Sequence, residues 1–451
     1  MASRKPITVA GLLRLASLVF LSGTAVWAAS APGSLRVIAF ADDFGPPSGL
    51  VEAAAGVFYS NGGSAHQMIF SITAGGTSSI LANLPAGQYT QAPLVAAANG
   101  LFYSSIAHRM DPVSLFSIGA HEPLRLYAPQ MIDPMPTVGL PDGSLLAIAV
   151  TVTSDPVYSL VKCGLDGKVT TLRQFPAGER LPHTAFLGSD GSYYGVSMLP
   201  DGAGYVYSLA PSGTSKKLLS FPANSLHGNP VEVPLIEGAD GKLYGATVSG
   251  GAEGGGTVYE LSTGGQYRLL HSFPRADGSF SPTALIEASD GNLYGTTLGF
   301  KSQLFRIARS GEFTLLHVMD RYTEGSCPCR LVQGSDGGIY GTAGLGGATG
   351  SGSIFVWNGG LPKPPPRALR VQPEAGTVGA EVLIWGRDLL GSAVRFQGVS
   401  TAAQVSLNNS SYIRATIPPG ASSGPIAITT PGGSTRTNLR FEIQRRQGNN
   451  R

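Results

Sequence analysis

An all-β fold is predicted for this chain: a seven-bladed β-propeller closed by an N-terminal strand, followed by a small β-sandwich. Three observations predict it. First, a nine-residue stretch, Ser289-Asp-Gly-Asn-Leu-Tyr-Gly-Thr-Thr297, recurs as Ser335–Ala343, Ala239–Thr247 and Ser189–Ser197, with weaker copies at Pro141–Ala147, Ala98–Ser104 and Ala55–Ser60. The aligned glycines Gly56, Gly100, Gly143, Gly191, Gly241, Gly291 and Gly337 stand 43 to 50 residues apart, the period of one blade per copy. Second, 62 Gly, 32 Pro and only 13% charged residues suit many short strands and turns. Third, the repeat stops near residue 360, and a run of strand-like segments with a different pattern follows.

The first residues read as a secretory signal. Arg4 and Lys5 form a basic start, Leu15 to Trp27 is mostly apolar, and Val26-Trp-Ala28 or Ala29-Ser-Ala31 supplies a small-residue cleavage site. Export to the periplasm, the cell surface or the medium is expected, with residues 1–28 removed. The formal charge of +3 includes Arg4, Lys5 and Arg14 and no acid from that segment, so the mature chain is neutral. Nothing basic then remains to suggest nucleic-acid binding, and no later stretch is apolar for long enough to span a bilayer. Three cysteines, Cys163, Cys327 and Cys329, make no disulfide framework and no metal spacing.

Residues 233–273 are the clearest copy. Val233–Gly238 is a first strand, Asp240-Gly241 a two-residue hairpin turn, and Lys242–Val248 a second strand. A glycine-rich loop leads to a third strand, Thr257–Ser262, and Gly264-Gly265 turns the chain into a fourth, Tyr267–Phe273. Four antiparallel strands in a meander make one blade. The seventh copy ends after three strands. Ser34–Phe40 resembles the other fourth strands and is expected to pair with that last blade, which removes the exposed edges of an open array.

Column by column the repeat looks structural. Three positions after the aligned glycine stand Tyr59, Tyr103, Leu146, Tyr194, Tyr244, Tyr294 and Tyr340, each followed by a small residue. Large rings beside small residues around a circle suit interlocking blades, the small residue leaving room for the ring before it. The Asp-Gly-x-Leu-Tyr-Gly-Thr-Thr core, the Gly-Gly-Thr-Val-Tyr-x-Leu continuation and the Leu-Leu-His-Ser-Phe ending resemble the GloVer-type tandem repeat of secreted bacterial proteins. That resemblance is close in copies four to seven. It implies export and often surface attachment, and it carries no catalytic residues.

Leu361-Pro-Lys-Pro-Pro-Pro-Arg367 reads as a stiff extended linker. In residues 368–444, strands such as Glu381–Arg387 and Gly424–Thr430 alternate with Gly and Pro turns, the pattern of a small immunoglobulin-like β-sandwich. The order of motifs resembles an IPT/TIG domain, which implies a spacer or interaction unit. Residues 445–451 form a basic tail. The expected boundaries are therefore 1–28, 34–360, 361–367, 368–444 and 445–451.

Two clusters are candidates for binding. Loops at one end of the ring carry His66, His108, Arg109, His183, His227 and Arg275, whose mixed polar character suits a neutral ligand such as a glycan. Four positions before the aligned glycine, on the innermost strand, stand Glu237, Glu287, Gln333 and Glu52, in contiguous blades once the ring closes; the other blades have Ala96, Gly139 and Leu187 there. Carboxylates converging on a channel could hold a cation or form an acid/base pair, or each could cap N–H groups within its own blade. No Gly-x-Ser-x-Gly elbow, His-Glu-x-x-His or phosphate loop is present, and no cofactor, metal or catalytic residue is implied. The sequence thus favours a monomeric, non-enzymatic recognition or scaffold protein of the bacterial envelope, with a polysaccharide or envelope protein as partner. A propeller hydrolase or lyase acting on a carbohydrate or lactone is the alternative.

Overall fold

The computed structural model describes residues 33–444, apart from 42–46, 63–67, 86, 91, 109–110, 121, 128–131, 152–155, 167, 182–184, 223–232, 234, 276–280 and 300. The expected signal segment and basic tail lie outside the described residues. Every regular element described is a β-strand, and the strands form nine sheets.

Seven of these sheets, numbered here in chain order, follow the seven copies of the repeat. In the fifth, Ile236–Glu237, Leu243–Thr247, Gly254–Leu261 and Tyr267–Pro274 pair in sequence order. The second differs because its inner edge is split: Gln88–Thr90 and Val95–Ala96 both pair with Phe102–His108. The seventh takes its outer strand from the other end of the chain. Ser34–Phe40 runs antiparallel to Ser353–Asn358, with Leu35 opposite Trp357 and Val37 opposite Phe355. The all-β, propeller-like prediction holds.

The turn after the first strand is one residue longer than the two-residue hairpin turn expected at Asp240-Gly241. Gly238 N–H donates to Lys242 O and Gly241 N–H to Gly238 O, so residues 239–241 form a three-residue loop. Its last member, Gly241, sits at φ +77°, where a side chain would be strained. The aspartate explains the rest of the motif. Asp240 Oδ1 accepts Lys242 N–H, and Oδ2 accepts the Tyr244 hydroxyl at 2.7 Å. Asp190 with Tyr194, Asp290 with Tyr294 and Asp336 with Tyr340 repeat the arrangement. The motif thus buries a ring and satisfies its hydroxyl in one step.

The small residue after each tyrosine has a different use from the one expected. A Cβ on Gly295 would lie 2.3 Å from the ring of Phe305, and one on Gly245 would lie 2.4 Å from the Tyr259 hydroxyl. Both rings stand directly opposite on the third strand of the same sheet. The space is therefore for the neighbouring strand's ring, not for the preceding tyrosine. The tyrosines themselves face the seams between sheets, as Tyr340 against Phe58 (centroids 4.2 Å apart) and Tyr294 against Trp357 (5.6 Å) illustrate.

Residues 367–443 form the remaining two sheets, each of four strands. Val382, Ile384 and Ile413 from one and Val394, Ile428 and Phe441 from the other share a buried core. This module is seated on the ring, not tethered beside it. Trp385 and Tyr412 belong to the same apolar cluster as Leu140, Leu146 and Leu187 of the third and fourth sheets. The expected linker is likewise held in place, since Pro362 O accepts the Ser289 hydroxyl at 2.6 Å.

Cys163 is fully buried, and burial pushes its thiol up to about 12. Cys327 is half-buried and sits at φ +55°.

Candidate functional site

The innermost strand of each sheet ends at the turn with the aligned glycine, Asp-Gly in the third to seventh sheets, so every residue four positions before that glycine arrives at the same end of the ring. There the four acceptors expected from the sequence do come together, but they bond across the seams and not only within their own blades. Glu237 of the fifth sheet accepts the N–H and hydroxyl of Ser189 in the fourth. Glu287 of the sixth accepts Ala239 N–H (2.7 Å) in the fifth, and Gln333 of the seventh accepts Ser289 N–H (2.8 Å) in the sixth. Glu52 of the first sheet accepts Ser335 N–H (2.9 Å) and hydroxyl (2.7 Å) in the seventh, a contact spanning 283 positions of sequence. Glu52 also caps its own turn, at Gly56 N–H, and Gln333 Nε2 donates to Gly337 O in its own. Burial pushes the Glu52 carboxyl up, against the pull of these donors.

Over these acceptors sits the C-terminal module. Arg387 donates to Glu237 O at 2.8 Å and approaches its carboxylate at 3.8 Å, while Arg367 donates to Gly238 O. Between ring and module lies a cavity of about 570 Å³, lined by Glu237, Glu287, Gln333, Arg387, Asp388 and Ser411 among others. Glu287 is fixed on one wall by an ion pair with Arg309, and Arg309 also lies over the Tyr244 ring. Asp388 reaches this cavity and a smaller one of about 120 Å³ beside Glu52 and Ser335. Asp388 is itself exposed to the cavities, while protein surrounds it at longer range. That burial, with Glu52 and Glu287 adding to it against Arg387 and Arg367, pushes its carboxyl up to about 6.

The channel continues into the ring as a space of about 260 Å³, floored by Ser411 of the module. Arg330, on the innermost strand of the seventh sheet, lines it from the side. Its stem crosses towards the first sheet, where a Cβ on Gly49 would meet Arg330 Cδ at 2.8 Å.

The loop cluster cannot be assembled in the same way. His66, Arg109, His183 and His227 lie outside the described residues, and His108 is placed only as the last residue of Phe102–His108. Arg275 is exposed after the outer strand of the fifth sheet, its N–H donating to Glu253 O at 3.1 Å. Three residues of the central space were not candidates from sequence: Arg330, Arg387 and Asp388. A neighbour of the Cys-Pro-Cys segment and two residues of the Trp-Gly-Arg-Asp segment gave no sign of facing a channel. Among the described residues no group of histidine, cysteine, aspartate and glutamate is arranged to hold a metal ion.

Comparison with known proteins bears on this geometry. Residues 142–355 match the Gloeobacter/Verrucomicrobia repeat. No curated protein matches the chain. Among solved structures, a streptogramin B lyase is similar with a TM-score of 0.53 at 16% identity, over 72% of this chain and 96% of that one. The Pseudomonas aeruginosa periplasmic gluconolactonase is similar with a TM-score of 0.46 at 15% identity, over 82% and 99%. At these identities the likeness is one of fold: a propeller-like all-β ring. It corrects the expectation of a non-enzymatic scaffold: the streptogramin B lyase that shares the ring is an enzyme.

Proposed function

We propose that the protein is a hydrolase or lyase acting on a carbohydrate or a lactone, with its chemistry in the cavity where the ring meets the C-terminal module. One observation carries this reading. Carboxylates from two sheets of the ring, Glu237 and Glu287, share a cavity of about 570 Å³ with two arginines, Arg367 and Arg387, and an aspartate from the module. Acidic and basic groups held on opposite walls of a polar cavity suit proton transfer and stabilisation of a developing oxyanion. The hydroxyls of Ser410, Ser411 and Ser434 suit a polyhydroxylated substrate. The chemistry named for the ring's structural neighbour, a lyase, agrees with it.

In the same reading the seven sheets are the blades of one seven-bladed propeller, and residues 368–444 are an IPT/TIG-like immunoglobulin sandwich. Residues 1–28 direct export to the periplasm or cell surface, and the mature protein works there as a monomer. Turnover of a panel of δ-lactones and polysaccharides by the full mature chain tests the activity. Absence of turnover on every member of the panel sinks it.

A further inference from the structure

We propose that Asp388, carried by the C-terminal module, is the proton donor of a hydrolytic reaction in the channel-end cavity, so that the active site is complete only with both modules. This rests on the hydrolase reading above. The ring's own acceptors are already engaged: Glu52, Glu237 and Glu287 each accept N–H groups across a seam. Asp388 is different. Its carboxylate accepts no hydrogen bond from the described residues, and it faces both cavities at the mouth of the channel.

The backbone is built to present it. Asp388 follows Glu381–Arg387 at φ +55°, one of two non-glycine residues with positive φ among those described. Leu389 N–H donates to Ser410 O and Gly386 N–H to Ser411 O on either side, and Leu389 is fully buried. Tertiary packing thus holds an uncommon conformation at a residue that lines both cavities. The charged groups facing it are Arg387 and Arg367 of its own module and Glu52 and Glu287 of the ring. With its carboxyl pushed up to about 6, it retains a proton at pH values where an ordinary aspartate has lost it. Glu287, fixed by Arg309 and Ala239 N–H, supplies the second carboxylate.

In the step assigned to it, the C–O bond of a glycoside or lactone breaks and the departing oxygen takes the Asp388 proton. Water adds hydroxyl to the carbon, and the proton it releases returns to Asp388. Such assistance matters when the departing oxygen is a poor leaving group and little when it is a good one.

The test is Asp388→Asn in the full mature chain; asparagine tolerates positive φ, so the turn is kept, and an unchanged Tm checks this. Matched probes are δ-valerolactone against dihydrocoumarin, and an alkyl against a 4-nitrophenyl glycoside. The expected result is a loss of about 10²- to 10⁴-fold on the alkyl member and less than about tenfold on the aryl member. The fall of kcat above pH 6 should also disappear. Equal losses on both members, or a wild-type pH profile in the variant, overturns the assignment while leaving the enzyme reading intact. A wild-type protein inactive on all four probes overturns the hydrolase reading and the assignment with it.

Discussion

The two halves of the ring close their inner edge by different means. Through the fifth, sixth, seventh and first sheets, a Glu or Gln at the end of the innermost strand takes hold of the preceding sheet's turn. Through the second and third sheets the same end is served from outside. Asn409 donates to Ala97 O, Arg414 to Ala98 O, Trp385 to Gly139 O and Tyr412 to Leu140 O. Two of the residues that broke the acceptor column, Gly139 and Leu187, now have a reason. A Cβ on Gly139 would lie 2.2 Å from the Tyr412 hydroxyl, and Leu187 packs in the cluster that receives Trp385 and Tyr412. A small or apolar residue there makes room for the module, while an acceptor elsewhere replaces it. One half of the ring edge thus links its sheets by its own side chains, with Arg367 and Arg387 of the module added at the fifth sheet, and the other half relies on the module alone for these bonds.

The comparison can be broken most severely from the module side. Trp385→Ala removes a buried ring and the donor to Gly139 O, and should cost about 3–5 kcal/mol. Because the core cluster is shared, ring and module should still unfold in one transition in urea; two separate transitions would contradict the shared core.

A smaller effect is expected from the acceptor side. Glu237→Leu copies the residue of the fourth sheet into the fifth and leaves Ser189 N–H without its acceptor, at a cost of about 1–3 kcal/mol. Glu237→Gln keeps an acceptor, as Gln333 does in the seventh sheet, and should stay within about 1 kcal/mol of wild type. Equal losses in the two variants, measured from urea midpoints, would show that the seam bond contributes nothing.

The smallest effect concerns pH. Glu52 has its folded pKa raised above an unfolded value near 4.5, chiefly by burial. The native state therefore holds that proton to higher pH than the unfolded chain does. Its contribution is full below about 4.5 and declines as pH rises through the folded value. Glu52→Gln removes this decline, so its stability relative to wild type should improve between pH 4 and pH 7. A difference that is the same at both pH values would count against the assignment.

Much of this was legible in the sequence. The period placed seven turns, Asp-Gly pairs marked five of them, and the missing fourth strand of the last copy pointed to Ser34–Phe40, which pairs with Ser353–Asn358. The acceptor column was also visible as Glu237, Glu287, Gln333 and Glu52. Its partners were not, because each bonds a residue one sheet away, 44 to 48 positions back or, for Glu52, 283 positions ahead. Nor was the room beside each tyrosine, since a glycine's neighbour across a ladder depends on register. The loop histidines drew notice by residue type alone, which says nothing of where a loop folds.

What the sequence determined by itself was therefore local and periodic: turns, strand order, the rings between sheets, and the closing strand. Hydrogen bonding and side-chain alternation within some fifty residues are enough to specify the turns, strand order and rings, while the closing strand followed from the one strand the last copy lacks. The tertiary structure alone decided where the C-terminal module sits, which half of the ring it completes, and that Asp388 and Arg387 enter the cavity beside Glu237 and Glu287. No local pattern encodes that encounter. It arises from the match of two finished surfaces, Trp385 and Tyr412 on one and the gap left by Gly139 on the other.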